Sequence, residues 1–199
     1  MRIIIAIICK INLRACMDYR SRKSNRIPEY DYSQAGAYFV TICSHNRKHI
    51  FGKIAVGAGI ARPHLSPIGK IIENSINQIS EKYPHVSVDC YVIMPNHVHL
   101  LLSIHDASAG GRAMHAPTVS RAIQQMKGYV TKLVGATTGR PSDTPIWQKG
   151  FHEHVVRDER DYLRIWQYIE NNSYNWHDDE YYPQWYLEVL LWKNHKQQP

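Results

Sequence analysis

The sequence predicts an α+β fold of the ferredoxin-like kind, an antiparallel sheet with helices on one face plus one appended helix. Strand-like and amphipathic helical segments follow one another in the order strand, helix, strand, strand, helix, strand, helix. The 199 residues suffice for one substantial core. A composition of 44% hydrophobic and 21% charged residues is ordinary for a globular protein and argues against a disordered chain.

Element boundaries follow from caps, turn residues and the ends of apolar periods. The first half is predicted to hold a strand over residues 37–44, an extended excursion or hairpin over 49–64, a helix from the Ser66 cap and Pro67 to Lys82, and strands over 86–94 and 97–104. The second half is predicted to hold a loop over 105–117, a helix that Thr118 caps, a loop over 135–145, a final strand from the segments 146–148 and 151–156, and a helix over 157–171. The apolar face of the helix after Thr118 comprises Val119, Ala122, Ile123, Met126, Val130 and Leu133.

Domain organisation and charge suggest a basic protein with one folded unit. We expect an N-terminal extension and basic arm over residues 1–29, a single domain over 30–182 and an aromatic tail over 183–199. Residues 1–16 are interpreted as an extension upstream of Met17. The formal net charge of +7 favours a polyanionic partner such as nucleic acid, although a merely basic protein would carry it too.

The expected compartment is a reducing cytoplasm, with no membrane association. The four cysteines have neither the spacing of a zinc ribbon nor the density of a disulfide framework. The apolar run at the N-terminus is too brief to span a bilayer and lacks a clear cleavage site.

Two histidines one residue apart are the first candidate site residues. In a strand, His97 and His99 project from one face, while Val98, Leu100, Leu102 and Ile104 project from the other. An apolar opposite face can pack on a core, which leaves the imidazoles facing a cleft as half of a metal site. A pair of polar residues on a solvated sheet face is the alternative interpretation.

The last predicted helix carries the second half of the site. Tyr162, Ile165, Trp166 and Ile169 form its buried stripe. On a neighbouring face, Tyr168 and Asn172 stand one turn apart and point the same way. If that face meets the histidines, Asn172 is a third ligand and Tyr168 lies over the ion. Both residues also fit ordinary structural roles, and Tyr129 is a competing nucleophile on another helix.

Several motifs in fixed order resemble those of the REP-associated tyrosine transposases, members of the single-tyrosine HUH endonucleases. The resemblance spans residues 30–182 and rests on Met94-Pro-Asn-His-Val-His99, Trp147-Gln148, Phe151-His-Glu-His154, Arg157-Asp-Glu-Arg-Asp-Tyr162 and Tyr168-Ile-Glu-Asn-Asn172. One departure is Ser173, which stands where the family commonly has proline.

The resemblance implies that Tyr168 is the catalytic nucleophile and that His97, His99 and Asn172 bind a divalent ion. It also implies a substrate of single-stranded DNA with palindromic hairpins and a short guide tetranucleotide. Neutral imidazole and amide ligands without thiolates favour Mg²⁺ or Mn²⁺ over structural zinc. A monomer or a homodimer fits equally.

The chemistry expected of these residues is DNA cleavage and strand transfer through a 5′-phosphotyrosine. Candidate phosphate contacts are Arg20, Arg22, Lys23, Arg26, Arg157 and Arg164, and exposed aromatics of the tail could stack on bases, although packing suits most of them better. Glu153 and His154 are candidate general bases or structural strand-end residues. Two other functions stay open: a hairpin-binding protein that does not cut, and an unrelated metal hydrolase.

Overall fold

The computed structural model describes residues 34–54, 63–105, 119–139, 141, 144–176, 179 and 181. The predicted basic arm with Arg20, Arg22, Lys23 and Arg26 lies outside the described residues. The Thr118 cap, the 105–117 loop beyond His105 and the tail from residue 182 onward lie outside them as well.

A four-stranded antiparallel sheet forms the centre of the fold. Its strands are β1 (Gly36–Cys43), β4 (Val86–Ile93), β5 (His97–Ile104) and β6 (His152–Val155), in the spatial order β4-β5-β1-β6. Two short strands, β2 (Gly52–Lys53) and β3 (His64–Leu65), pair with each other separately, within the predicted excursion. Strands β1 and β4 lie on either side of β5, and β6 pairs with the other edge of β1, which is the ferredoxin-like arrangement. The predicted fold class is therefore confirmed.

The helices are α1 (Pro67–Asn77), α2 (Ile79–Lys82), α3 (Val119–Thr138) and α4 (Glu159–Asn171). The single helix predicted to reach Lys82 is wrong at Gln78, whose ψ of −5° interrupts the helical backbone. The loop predicted from residue 135 is also wrong, because α3 continues to Thr138. The Thr137 and Thr138 hydroxyls donate to carbonyls one turn back. Gly139 follows with a φ of +63°. Within the described ranges, no helix has the length and apolarity needed to cross a membrane.

The start of α1 is fixed by the cap that the sequence predicts. The Ser66 hydroxyl accepts a hydrogen bond from Gly69 N (3.0 Å) and donates one to the carbonyl of Ile50 (2.7 Å). A Cβ at Gly69 would lie 2.1 Å from the Phe51 carbonyl oxygen. Only glycine therefore fits where α1 meets the chain before β2.

The two faces of the sheet have different partners. On one face, Val98, Leu100 and Leu102 of β5 are fully buried. Helices α1 and α3 contact each other, and α1 also contacts β4. On the other face, Ile165 and Ile169 of α4 pack against Leu101. The alternation predicted for β5 is confirmed, and α4 lies apart from the other helices, as expected of an appended helix.

A β-bulge helps to hold α4 on the sheet. The pairing of β4 with β5 shifts register between Val88 and Cys90, which leaves Asp89 as the extra residue. The Asp89 carboxylate accepts hydrogen bonds from the hydroxyls of Ser87 (2.7 Å), Ser103 and, from α4, Tyr162 (3.1 Å). This contact fixes the first half of α4 and thereby the position of its later turns.

Candidate functional site

The histidine pair lies where β5 is covered by α4 and by the residues that follow it. His97 and His99 are buried, with ring centroids 4.4 Å apart. The pairing of β1 with β5 sets Thr41 opposite His99, and Thr41 Oγ1 lies 2.8 Å from His99 Nδ1. Phe39, two residues earlier in β1, stacks on the His99 ring at 5.2 Å. Nδ1 of His99 is therefore engaged, and Nε2 points into the site.

The tautomer of His97 follows from its neighbour Asn96. The Asn96 amide nitrogen donates to the carbonyl of Tyr181 (2.8 Å), so Asn96 Oδ1 is the atom 2.8 Å from His97 Nδ1. An oxygen acceptor requires that His97 Nδ1 carry the proton and donate it. His97 Nε2 consequently has a free lone pair, and no hydrogen-bond partner for it exists among the described residues.

Helix α4 brings the predicted tyrosine and asparagine to these rings. Asp158 caps the helix by accepting a hydrogen bond from Asp161 N (2.8 Å). Tyr168 Oη lies 3.2 Å from His99 Nε2, while Tyr168 as a residue remains 42% exposed. Asn172, one turn later, is buried. All these residues belong to one chain, so one chain alone brings the tyrosine to the histidines.

Asp179 is a functional candidate that the sequence-based prediction did not include. Its side chain is 1% exposed, and Oδ2 accepts a hydrogen bond from Asn172 Nδ2 (2.9 Å) and lies 3.5 Å from Tyr168 Oη. The same oxygen is 3.9 Å from His97 Nε2. Asp179 follows a turn rather than a periodic element, so no sequence pattern indicates where its carboxylate points.

The donor set fits a divalent cation. His97, His99 and Asp179 offer ligand atoms within 4.8 Å of one another. This limit is close to the separation of about 4.2 Å between opposite ligands of one octahedral Mg²⁺. Asn172 Oδ1 is buried without a hydrogen-bond partner among the described residues, as is His97 Nε2. Two buried acceptors without a donor are costly, and a cation between them would satisfy both. The set contains nitrogen and oxygen but no thiolate.

Burial keeps both rings in the neutral form that a metal ligand requires. Desolvation lowers the pKa of His97 to about 3, and the Asn172 side chain opposes that shift. Burial, followed by the neighbouring His97, also lowers the pKa of His99 well below its ordinary value, while Asp179 opposes this. The imidazoles are therefore uncharged at neutral pH.

The remaining predicted candidates lie farther away. Arg157 and Arg164 are exposed near the start of α4, where Arg164 pairs with Asp161 at 2.6 Å. His154 is bound to the same aspartate at 2.8 Å. Glu153 alternates with His154 along β6, so its side chain lies on the sheet face away from α4.

Tyr129, the competing nucleophile, has its ring against Lys82 rather than against the histidines. It belongs to α3, and Lys82 lies 4.4 Å from the centre of its ring. The side chain is 43% exposed, which is nearly the exposure of Tyr168. Exposure alone therefore does not separate the two tyrosines, but Tyr168 Oη lies 3.2 Å from His99 Nε2, whereas the Tyr129 ring has Lys82 as its neighbour.

Comparison with known proteins identifies relatives. Residues 37–172 match the family of IS200-like transposases. A Haemophilus influenzae protein of uncharacterised function is 31% identical over 81% of this chain and 93% of its own length. A second protein of that organism, provisionally named a REP-associated tyrosine transposase, is 23% identical over 71% of this chain and 72% of its own.

Among solved structures, a REP-associated tyrosine transposase bound to a REP hairpin superposes with a TM-score of 0.52. It is 19% identical and covers 75% of this chain and 72% of its own. This likeness extends the agreement to the fold. The matched family segment begins within β1 and ends at Asn172, and so contains His97, His99 and Tyr168. The chain belongs to the IS200-like transposase family.

Proposed function

We propose that this protein is a metal-dependent DNA endonuclease and strand transferase that cuts single-stranded DNA next to hairpins through a 5′-phosphotyrosine intermediate. The observation that carries the proposal is the 3.2 Å separation between Tyr168 Oη and His99 Nε2, beside His97 Nε2 and Asn172 Oδ1, which have no hydrogen-bond partner among the described residues. A partly exposed nucleophile above buried ligands is reachable by a large polyanion. Family membership supports DNA as the substrate.

The ion would be held by His97, His99 and Asn172, the ligands expected from the sequence, with the Asp179 carboxylate beside it. A carboxylate changes the expectation of an all-neutral ligand set, because it offsets one unit of the cation's charge. Nitrogen and oxygen donors without sulfur favour Mg²⁺ or Mn²⁺. When bound, such an ion polarises non-bridging phosphate oxygens and stabilises the leaving oxygen.

The chain's own residues perform the remaining steps. Tyr168 Oη attacks the phosphorus, the bond from phosphorus to the 3′ oxygen breaks, and the 3′ oxygen leaves and becomes a hydroxyl after protonation. A phenol has an ordinary pKa of about 10, so its proton must be removed during attack. Asp179 Oδ2, 3.5 Å from Tyr168 Oη, is our candidate acceptor of that proton.

Rejoining reverses these steps with another 3′ hydroxyl. The phosphotyrosine keeps the energy of the broken phosphodiester, so no nucleotide cofactor is required. This is what separates a strand transferase from a simple nuclease. The hairpin substrate is proposed because the REP-associated relative of known structure is bound to one.

The test is formation of a covalent protein–DNA adduct with hairpin-flanked single-stranded DNA and Mn²⁺, resolved on a denaturing gel. We expect the wild-type protein to form the adduct, Tyr168→Phe to form none, and the equally exposed Tyr129→Phe to form it normally. An adduct with Tyr168→Phe would refute the assignment of the nucleophile. Hairpin binding by the wild-type protein without any adduct would indicate a non-cleaving binding protein, and turnover of a small phosphoester by Tyr168→Phe a metal hydrolase.

A further inference from the structure

The loop after β1 brings cationic side chains to the edge of the site. It spans residues 44–49 and includes Arg47 and Lys48, both exposed. Ser44 N donates to the carbonyl of Asn96 (2.8 Å), which ties the loop to the residue before His97. Its basic residues are therefore carried by the strand end next to the histidine pair.

Arg47 is the member of this loop that faces the site. Its guanidinium carbon lies 4.9 Å from the centre of the Tyr181 ring, and that ring lies 4.6 Å from the His97 ring. The guanidinium carbon is consequently at most 9.5 Å from the centre of the His97 ring, the sum of the two distances.

Tyr181 holds the guanidinium in that position. The Tyr181 carbonyl accepts the Asn96 amide hydrogen bond, and its backbone N–H donates to Asp179 Oδ1 (2.7 Å). The ring is thus fixed by two residues of the site, and the arginine lies over a fixed aromatic face. The position of the Arg47 guanidinium therefore depends on residues of the site.

Arg47 differs from Arg164 in its ion pairing. In the part of the chain that the structure describes, Arg47 forms no ion pair, whereas Arg164 is paired with Asp161 at 2.6 Å. Arg47 also has a φ of +52°, next to Asn46 at +54°, in a region that non-glycine residues seldom occupy. Such conformations concentrate at functional sites. A guanidinium fork matches the oxygens of a phosphate.

We propose that Arg47 binds a backbone phosphate of the DNA strand entering the site and so positions the strand relative to Tyr168. The proposal rests on the proposed function, because it takes the ligand to be a phosphodiester chain. The competing role is structural: Arg47 would serve only to pack on Tyr181 and close the site. The two roles differ in salt dependence, since only a phosphate contact releases counterions on binding.

The experiment measures binding of a hairpin-flanked single-stranded oligonucleotide by fluorescence anisotropy. The salt concentration is varied about fourfold, between about 50 and 200 mM, because the slope of log affinity against log salt reports the number of phosphate contacts. We expect Arg47→Gln to make the slope of log affinity against log salt shallower by about 0.7, the share of one single-strand phosphate contact. Arg47→Lys keeps the charge and should keep the slope. Lys132→Gln removes the same charge from an exposed position on α3 and should leave the slope unchanged.

Two readouts separate a positioning role from a structural one. The thermal midpoint and the Mn²⁺ affinity of Arg47→Gln should equal those of the wild-type protein. An unchanged salt slope in Arg47→Gln, or a slope altered only together with Mn²⁺ affinity or stability, would overturn the proposal. Adduct formation by the wild-type protein is measured in parallel. If the wild-type protein forms an adduct but Arg47→Gln has an unchanged slope, only the Arg47 proposal is refuted. If Arg47→Gln has a shallower slope but the wild-type protein forms no adduct, the cleavage function is refuted and the phosphate contact is supported.

Discussion

Asn96 should control metal affinity although it is not itself a ligand. Its side chain is 1% exposed and links the Tyr181 carbonyl to His97 Nδ1 through two hydrogen bonds of 2.8 Å. Asn96→Ala removes both partners. The His97 ring then loses the contact that holds its proton on Nδ1 and its lone pair on Nε2.

The expected magnitudes follow from those two bonds. A buried group left without a partner costs about 1–3 kcal/mol, so Asn96→Ala should lower the free energy of unfolding by about 2–6 kcal/mol. Loss of the hydrogen bond that orients a metal-binding histidine typically weakens metal affinity about 10- to 100-fold. Asn96→Asp keeps an acceptor for His97, but it loses the donor to Tyr181 and adds a carboxylate charge. It should therefore retain more metal affinity than Asn96→Ala.

Mn²⁺ binding is measured directly, from the electron paramagnetic resonance signal of the free ion, and stability by thermal unfolding with and without Mn²⁺. A ligand that binds only the folded state raises the unfolding temperature, so this shift should shrink in Asn96→Ala. Wild-type Mn²⁺ affinity in a folded Asn96→Ala protein would refute the reasoning. Equal weakening in the alanine and aspartate variants would refute the part that concerns the tautomer.

Two further predictions concern stability. Gly69→Ala should lower the free energy of unfolding in urea by about 1–3 kcal/mol or more, because the new Cβ would meet a backbone oxygen at 2.1 Å; Gly128→Ala, where nothing lies within 4 Å, should instead raise it by about 0.5–1 kcal/mol. Hydrogen bonds, first that from His154, lower the pKa of Asp161 from 3.8 to about 2. The stability that this provides is present above pH 4 and is lost as the pH falls towards 2, so Asp161→Asn should show a smaller drop in unfolding temperature over that interval; an equal drop would contradict it.

The sequence could predict the parts of the site that local periodicity governs. Alternation in β5 and the helical repeat of α4 put His97 with His99, and Tyr168 with Asn172, on common faces, and those faces meet in the structure. The family resemblance supplied what periodicity could not, that the two faces belong together. The match of residues 37–172 to the IS200-like transposases confirms that resemblance.

The parts that were missed depend on contacts between distant segments. Thr41 reaches His99 only because β1 and β5 pair in one register, and no local pattern fixes that register. Asp179 lies beyond the turn after α4, where the chain path decides which way a carboxylate points. The interruption at Gln78 was missed because isoleucines continue at helical spacing through it.

The position of the nucleophile is a consequence of core packing. Leu101 and His99 lie two residues apart on one face of β5, and Ile169 of α4 packs on Leu101. Tyr168 precedes Ile169 in the helix, so the contact that buries the isoleucine also sets the phenol over the His99 ring, 3.2 Å from Nε2. A shift of β5 by one residue would turn both histidines into the opposite core and remove the surface that receives α4. The forces that specify the sheet register are therefore the same ones that assemble the site, which is why a cluster of buried polar groups can persist in a small domain.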